Sequence, residues 1–124
     1  MRRPGGRSGG FLFFSPADIP RYLSLVHKLN KGYVDLQFAM LKPAFDDFSS
    51  RVRAVKTEEM QLRKTGESVS VSIWVGELDT SKEFSTQIDG AERGILAAAR
   101  LWDWFKMNRT MLESVYLSLV KSAG

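Results

Sequence analysis

Residues 57–75 read TEEMQLRKTGESVSVSIWV, two alternating runs about a Thr65-Gly66 dipeptide. A two-residue loop at that dipeptide sets Lys64 opposite Glu67, Leu62 opposite Val69, Met60 opposite Val71 and Glu58 opposite Ile73. The other face then pairs Arg63 with Ser68, Gln61 with Ser70, Glu59 with Ser72 and Thr57 with Trp74. One face is mostly apolar and the other mostly polar, as a half-buried antiparallel pair requires. The hairpin therefore belongs to a sheet with one face to cover, and the flanking segments must supply the cover.

Upstream, 33–38 alternates as a strand, with Val34, Leu36 and Phe38 on one face and Tyr33, Asp35 and Gln37 on the other. Pro43 sits in the first turn of a helix whose stripe is Leu41, Phe45, Phe48 and Val52. Further back, Ser15-Pro16-Ala17-Asp18 is a helix-start signature, and Tyr22, Leu25, Val26 and Leu29 recur at helical spacing up to Asn30-Lys31-Gly32. A helix is expected over 17–30, and Phe11 to Phe14 offers an additional strand. Downstream, a polar loop over 76–85 leads to Thr86-Gln87-Ile88-Asp89, which resembles a capping box opening a helix to about residue 107. Gly90, Gly94 and Ala98 line one face of that helix, four apart, and leave a narrow groove for close packing. Thr110-Met111-Leu112-Glu113 is a second box, so a separate helix is expected over 111–121. The order defines an α+β fold: a small, mainly antiparallel sheet of three to four strands, helices on one face, and a long C-terminal helical segment.

The 124 residues suit one domain over 11–124, preceded by a Gly/Arg-rich leader over 1–10 that is expected to be disordered. The net charge is +4, and Arg2, Arg3 and Arg7 of the leader supply most of it. Cysteine is absent, which excludes disulfides, thiol nucleophiles and thiolate metal sites. Apolar runs are far shorter than the roughly 20 residues of a membrane helix, so no membrane partner and a cytoplasmic location are expected.

Catalytic patterns are sparse. His27 is the single histidine and has no visible partner. Asp35, Glu77 and Asp79 could form a metal site only if their strands are neighbours. No glycine-rich phosphate cradle and no Ser–His–acid arrangement can be argued. No catalytic residue, metal ligand or cofactor is expected, and the chain reads away from an enzyme.

The aromatics say more. Leu101-Trp102-Asp103-Trp104-Phe105 places three large rings in little more than one helical turn. The apolar band through Leu112, Tyr116 and Leu119 is wider than a three-stranded sheet covers. Trp102, Trp104, Phe105, Met111 and Tyr116 are therefore the expected interface with a second copy of the chain or another protein domain. A second reading is a nucleic-acid-binding accessory domain using the leader with Arg51, Arg53, Lys56, Arg63 and Lys64, a patch diluted by Glu58, Glu59 and Glu67. A third is a metal-dependent hydrolase or nuclease built on Asp35, Glu77 and Asp79.

Gly32-Tyr33-Val34-Asp35-Leu36-Gln37-Phe38, with Ser15-Pro16-Ala17-Asp18-Ile19-Pro20 before it, resembles a segment of bacterial PD-(D/E)XK nuclease-like proteins. There a similar stretch lies C-terminal to the nuclease core, and a later strand ends like Glu77-Leu78-Asp79. The resemblance spans about residues 11–107. That family's chemistry needs an acid and then an acid-x-lysine pair, and no Glu-x-Lys or Asp-x-Lys occurs here. Glu59-Met60-Gln61-Leu62-Arg63-Lys64 has the wrong spacing. The resemblance thus implies the accessory region without the enzyme, and no catalytic residue carries over.

Overall fold

A computed structural model describes residues 11–29, 31–77 and 84–123; the leader and 78–83 lie outside the described residues. Five strands run β1 (Phe11–Phe14), β2 (Leu23–Lys28), β3 (Tyr33–Ala39), β4 (Met60–Thr65) and β5 (Ser68–Trp74). Helix α1 (Phe45–Arg53) joins β3 to β4, and α2 (Phe84–Ala123) follows β5. The strands form one antiparallel sheet in the order β1-β2-β3-β5-β4. The fold is α+β, with one strand more than the upper expectation. Among the described residues no helix is long and apolar enough to cross a membrane.

The hairpin forms, shifted by two residues. Met60 faces Ile73, Leu62 faces Val71 and Lys64 faces Val69, so the loop is Gly66-Glu67. Gly66 takes φ +53° at the first loop position. A β-branched residue such as Thr65 resists that conformation, so the turn slides onto the glycine. A shift of two keeps every side chain on its face, and the alternation survives.

The segment expected as a helix over 17–30 is strand β2. Leu23, Leu25 and His27 point to the core, opposite Phe38, Leu36 and Val34. Val26, which fits the helical period, is instead buried on the opposite face, beside Phe13 and Asp35. Pairing with both β1 and β3 outweighs a four-residue helical pattern. The proline-rich start makes turns, with the Ile19 amide donating to Pro16 (3.2 Å) and that of Leu23 to Pro20 (3.1 Å). Gly32, at the end of that expected helix, instead closes the β2–β3 turn at φ +83°.

The two expected C-terminal helices are one. Asn108 Nδ2 donates to the Trp104 carbonyl (2.9 Å), and the helix runs through Thr110 unbroken. Glu113, the acid of the supposed second box, accepts from Tyr22 Oη (2.8 Å) and pairs with Arg109 (3.6 Å). It ties α2 to the β1–β2 connection rather than capping a new start. Thr86 is not the first cap either, because α2 begins at Phe84; the side chains of 84–88 lie outside the described residues.

Both helices cover the same sheet face. Phe38 is wholly buried, with ring centroids 4.8 Å from Phe48 of α1 and 6.0 and 6.5 Å from Phe105 and Tyr116 of α2. Phe45, Phe48 and Val52 are the buried stripe of α1, whereas Leu41 precedes the helix and is exposed. Trp104 Nε1 donates to Val55 (2.9 Å), and the Tyr116 hydroxyl donates to Ala39 (2.5 Å). Tyr22 stacks on Tyr116 at 4.0 Å. Burial, with the Glu113 carboxylate beside it, pushes the Tyr22 hydroxyl well above its ordinary pKa.

Gly94 lies directly on His27, and a Cβ there would collide with Nδ1 and Cε1 of the imidazole. This is the packing reason for a glycine within the helix. Gly94→Ala should destabilise the protein by about 2 kcal/mol despite alanine's helix preference of ~1 kcal/mol. In a His27→Ala background the same change should become neutral or stabilising, giving a large coupling energy in a urea-unfolding double-mutant cycle.

Candidate functional site

Because both helices cover one side, the other side of the sheet is a surface built by alternate residues of all five strands. Its rows follow from the register. Phe11, Lys28, Tyr33 and Trp74 lie side by side across β1, β2, β3 and β5. The next row is Phe13, Val26, Asp35, Ser72 and Gln61. Beyond it lie Ser24, Gln37, Ser70 and Arg63.

Asp35 is the centre of this face and is wholly buried. Ser72 Oγ donates to its Oδ1 (2.6 Å), Arg63 Nη1 lies 3.4 Å from the same oxygen, and Lys28 Nζ is 3.0 Å from Oδ2. Two partly exposed cations thus shield one carboxylate from water. Arg63 also lies over the Tyr33 ring (4.3 Å to the centroid), and the Tyr33 hydroxyl donates to Gln61 (3.4 Å). Tyr33 meets Trp74 edge-on at 5.0 Å. The Trp74 indole rests on Gly32, where a Cβ would come within 2.5 Å of Cζ3, yet 49% of Trp74 remains exposed. Ser70 Oγ is buried on this face without a hydrogen-bond partner.

The acidic metal site of the third reading is not what surrounds Asp35. Its neighbours are cations and a hydroxyl, Glu77 is an exposed residue past β5, and Asp79 lies outside the described residues. No group of three metal-ligating side chains occurs among the described residues. His27 is a core residue, 1% exposed, with neither ring nitrogen hydrogen-bonded. Burial first, and then the charge of Arg93, hold its pKa below the ordinary 6.5.

The aromatic residues expected at an interface are mostly core. Trp104, Phe105 and Tyr116 are buried within the chain itself, while Trp102 and Met111 are half-buried. Phe105 and Tyr116 pack on Phe38 of β3, Tyr116 also on Phe48 of α1 and on Tyr22, and Trp104 bonds to the Val55 carbonyl. Exposed apolar side chains cluster on β1 and on Ile95 and Leu96 of α2, with Leu41, Trp74, Met107 and Leu117 exposed singly. A groove of about 440 Å³ runs between β1 and α2, lined by Phe13, Phe14, Ile95, Ala99 and Trp102 among others.

The basic residues singled out in the sequence do not form one patch. Arg63 is on the open face, whereas Arg51 and Arg53 are exposed on α1 on the covered side and Lys56 follows α1. Lys64 pairs with Asp46 (2.7 Å), which holds that carboxyl below its usual range. Sequence reasoning missed Lys28 and the row that joins it to Tyr33 and Trp74. The signal was hidden because Lys28 fell in a segment read as helical.

No family model, curated protein or solved structure matches the chain.

Two measurements test this arrangement. Asp35→Ala leaves Lys28 and Arg63 facing each other and should cost about 2 kcal/mol, the loss being limited by water access to both cations; Asp35→Asn should cost less. The second concerns pH. The unfolded chain protonates His27 near 6.5 and the folded chain does so only at lower pH. Stability is therefore full above about pH 6.5 and falls as the pH drops from there toward the folded value. Urea midpoints at pH 7 and pH 5 should differ for the native chain and converge for His27→Leu, since no other histidine is present.

Proposed function

We propose that the protein is a non-catalytic docking module that associates with a second copy of itself through β1. One observation carries this reading: the two edges of the sheet are unlike. The β4 edge presents Arg63 and Lys64, charges that discourage strand addition. The β1 edge is Phe11-Leu12-Phe13-Phe14, with no charge, and its first three residues are 52%, 40% and 71% exposed. Such an edge leaves backbone donors and acceptors unpaired beside apolar rings, the usual template for another strand.

A second copy suits it on chemical grounds. An uncharged strand meets its own twin without like-charge repulsion. A two-fold axis normal to the sheet sets Leu12 or Phe13 opposite itself, so core-facing and open-facing residues stay in register. Both helical layers then lie on one side, and Ile95 and Leu96 of the copies approach each other across the groove. The contact involves the first half of α2 rather than its aromatic middle, with Trp102 the member of the expected interface that reaches the groove.

Light scattering at tens of micromolar should give twice the chain mass. Phe13→Lys should give a single-chain mass with an unchanged melting temperature, because Phe13 is mostly solvated and contributes little to the core. A native chain that stays single at 100 µM (on the order of the weakest specific dimers) removes the proposal.

A further inference from the structure

We propose that the open sheet face binds single-stranded nucleic acid, with bases stacked on Trp74 and Phe11 and phosphates held by Lys28 and Arg63. The row Phe11–Lys28–Tyr33–Trp74 is the feature that carries it. It sets rings at both ends and a cation between them, over roughly 14 Å at ~4.8 Å per strand. Neighbouring unpaired bases with their linking phosphates present the same sequence of chemistries.

Charge complementarity points the same way. Within the strand rows of this face the single acid is Asp35, buried beneath Lys28 and Arg63, so these rows carry one net positive charge. The exposed Glu77 lies just past Trp74, its backbone beside Gly32. Trp74 is pinned from below by Gly32 and braced by Tyr33, leaving its outer ring surface free to stack. Between the ring row and Arg63's row lie Phe13, Val26, Asp35, Ser72 and Gln61, and beside Arg63 the buried Ser70 Oγ lacks a partner. A duplex keeps its bases stacked inside, so it gains nothing from the rings.

The test is fluorescence anisotropy with labelled twelve-nucleotide single strands, in DNA and RNA arms, against a duplex of the same length. Single strands should bind more tightly than duplex, with affinity falling as salt rises. Trp74→Ala should weaken binding about tenfold and Phe11→Ala by a similar factor. Lys28→Gln should weaken binding and lower the salt dependence. Trp74→Phe keeps a stacking ring, so it should retain most affinity while losing the oligonucleotide-induced quenching of indole fluorescence. This variant separates stacking from misfolding, and Trp74→Ala should leave the chain mass in solution unchanged. The proposal is overturned if duplex binds as tightly as single strands, if Trp74→Ala binds like the native chain, or if poly-glutamate displaces the oligonucleotide at equal charge concentration, which would assign the face to an acidic protein.

Discussion

The burial of Phe38 is the contact on which the remaining architecture depends. Its ring sits on the central strand and touches α1 through Phe48 and two successive stretches of α2 through Phe105 and Tyr116. One side chain thus fixes which face of the sheet is covered, and by exclusion which face is not. Removing a buried ring of this kind costs about 3–5 kcal/mol, a large part of the stability of a small domain. Every surface considered above, the open face and the β1 edge alike, exists because all helical cover has been drawn to Phe38's side.

The strand that carries that residue and its neighbour β5 were legible because they alternate cleanly. Val34, Leu36 and Phe38, and Val69, Val71 and Ile73, announce their common face without help from tertiary structure. β2 was not legible, for two reasons. Its third inward residue is His27, a polar type that hides the alternation, and Val26 is buried on the far side by Phe13 and the Asp35 cluster. Both exceptions arise from contacts with β1 and α2, which no local pattern contains. The glycine spacing in α2 was read correctly as a sign of close approach, but the partner beneath Gly94 was not deducible from it. The continuity of α2 escaped for a similar reason. A capping box is a local signal, and Glu113 is claimed instead by Tyr22.

Three of the residues expected at an interface are core: Phe105 and Tyr116 pack on Phe38 of β3, Tyr116 also on Phe48 and Tyr22, and Trp104 bonds to Val55. Exposed apolar side chains remain on the edge strand β1 and on α2 at Ile95, Leu96, Met107 and Leu117. Asp35 was visible in the sequence as an acid facing away from the core. Its partners were not, since Lys28 was assigned to a helix and Arg63 was placed one ladder step away by the register shift. The open face, and with it both proposals, became readable once all five strands were in register.

The Tyr22–Glu113 hydrogen bond joins residues 91 positions apart, and His27 waits for Gly94 across a comparable span. During synthesis the first three strands emerge well before the helix that shields them. The nascent polypeptide must therefore carry a greasy, half-finished sheet until α2 is made. Long-range closure of this kind slows folding and exposes the chain to aggregation. A trigger for premature release, such as a stalled codon before α2, would yield a sticky fragment rather than a smaller folded domain.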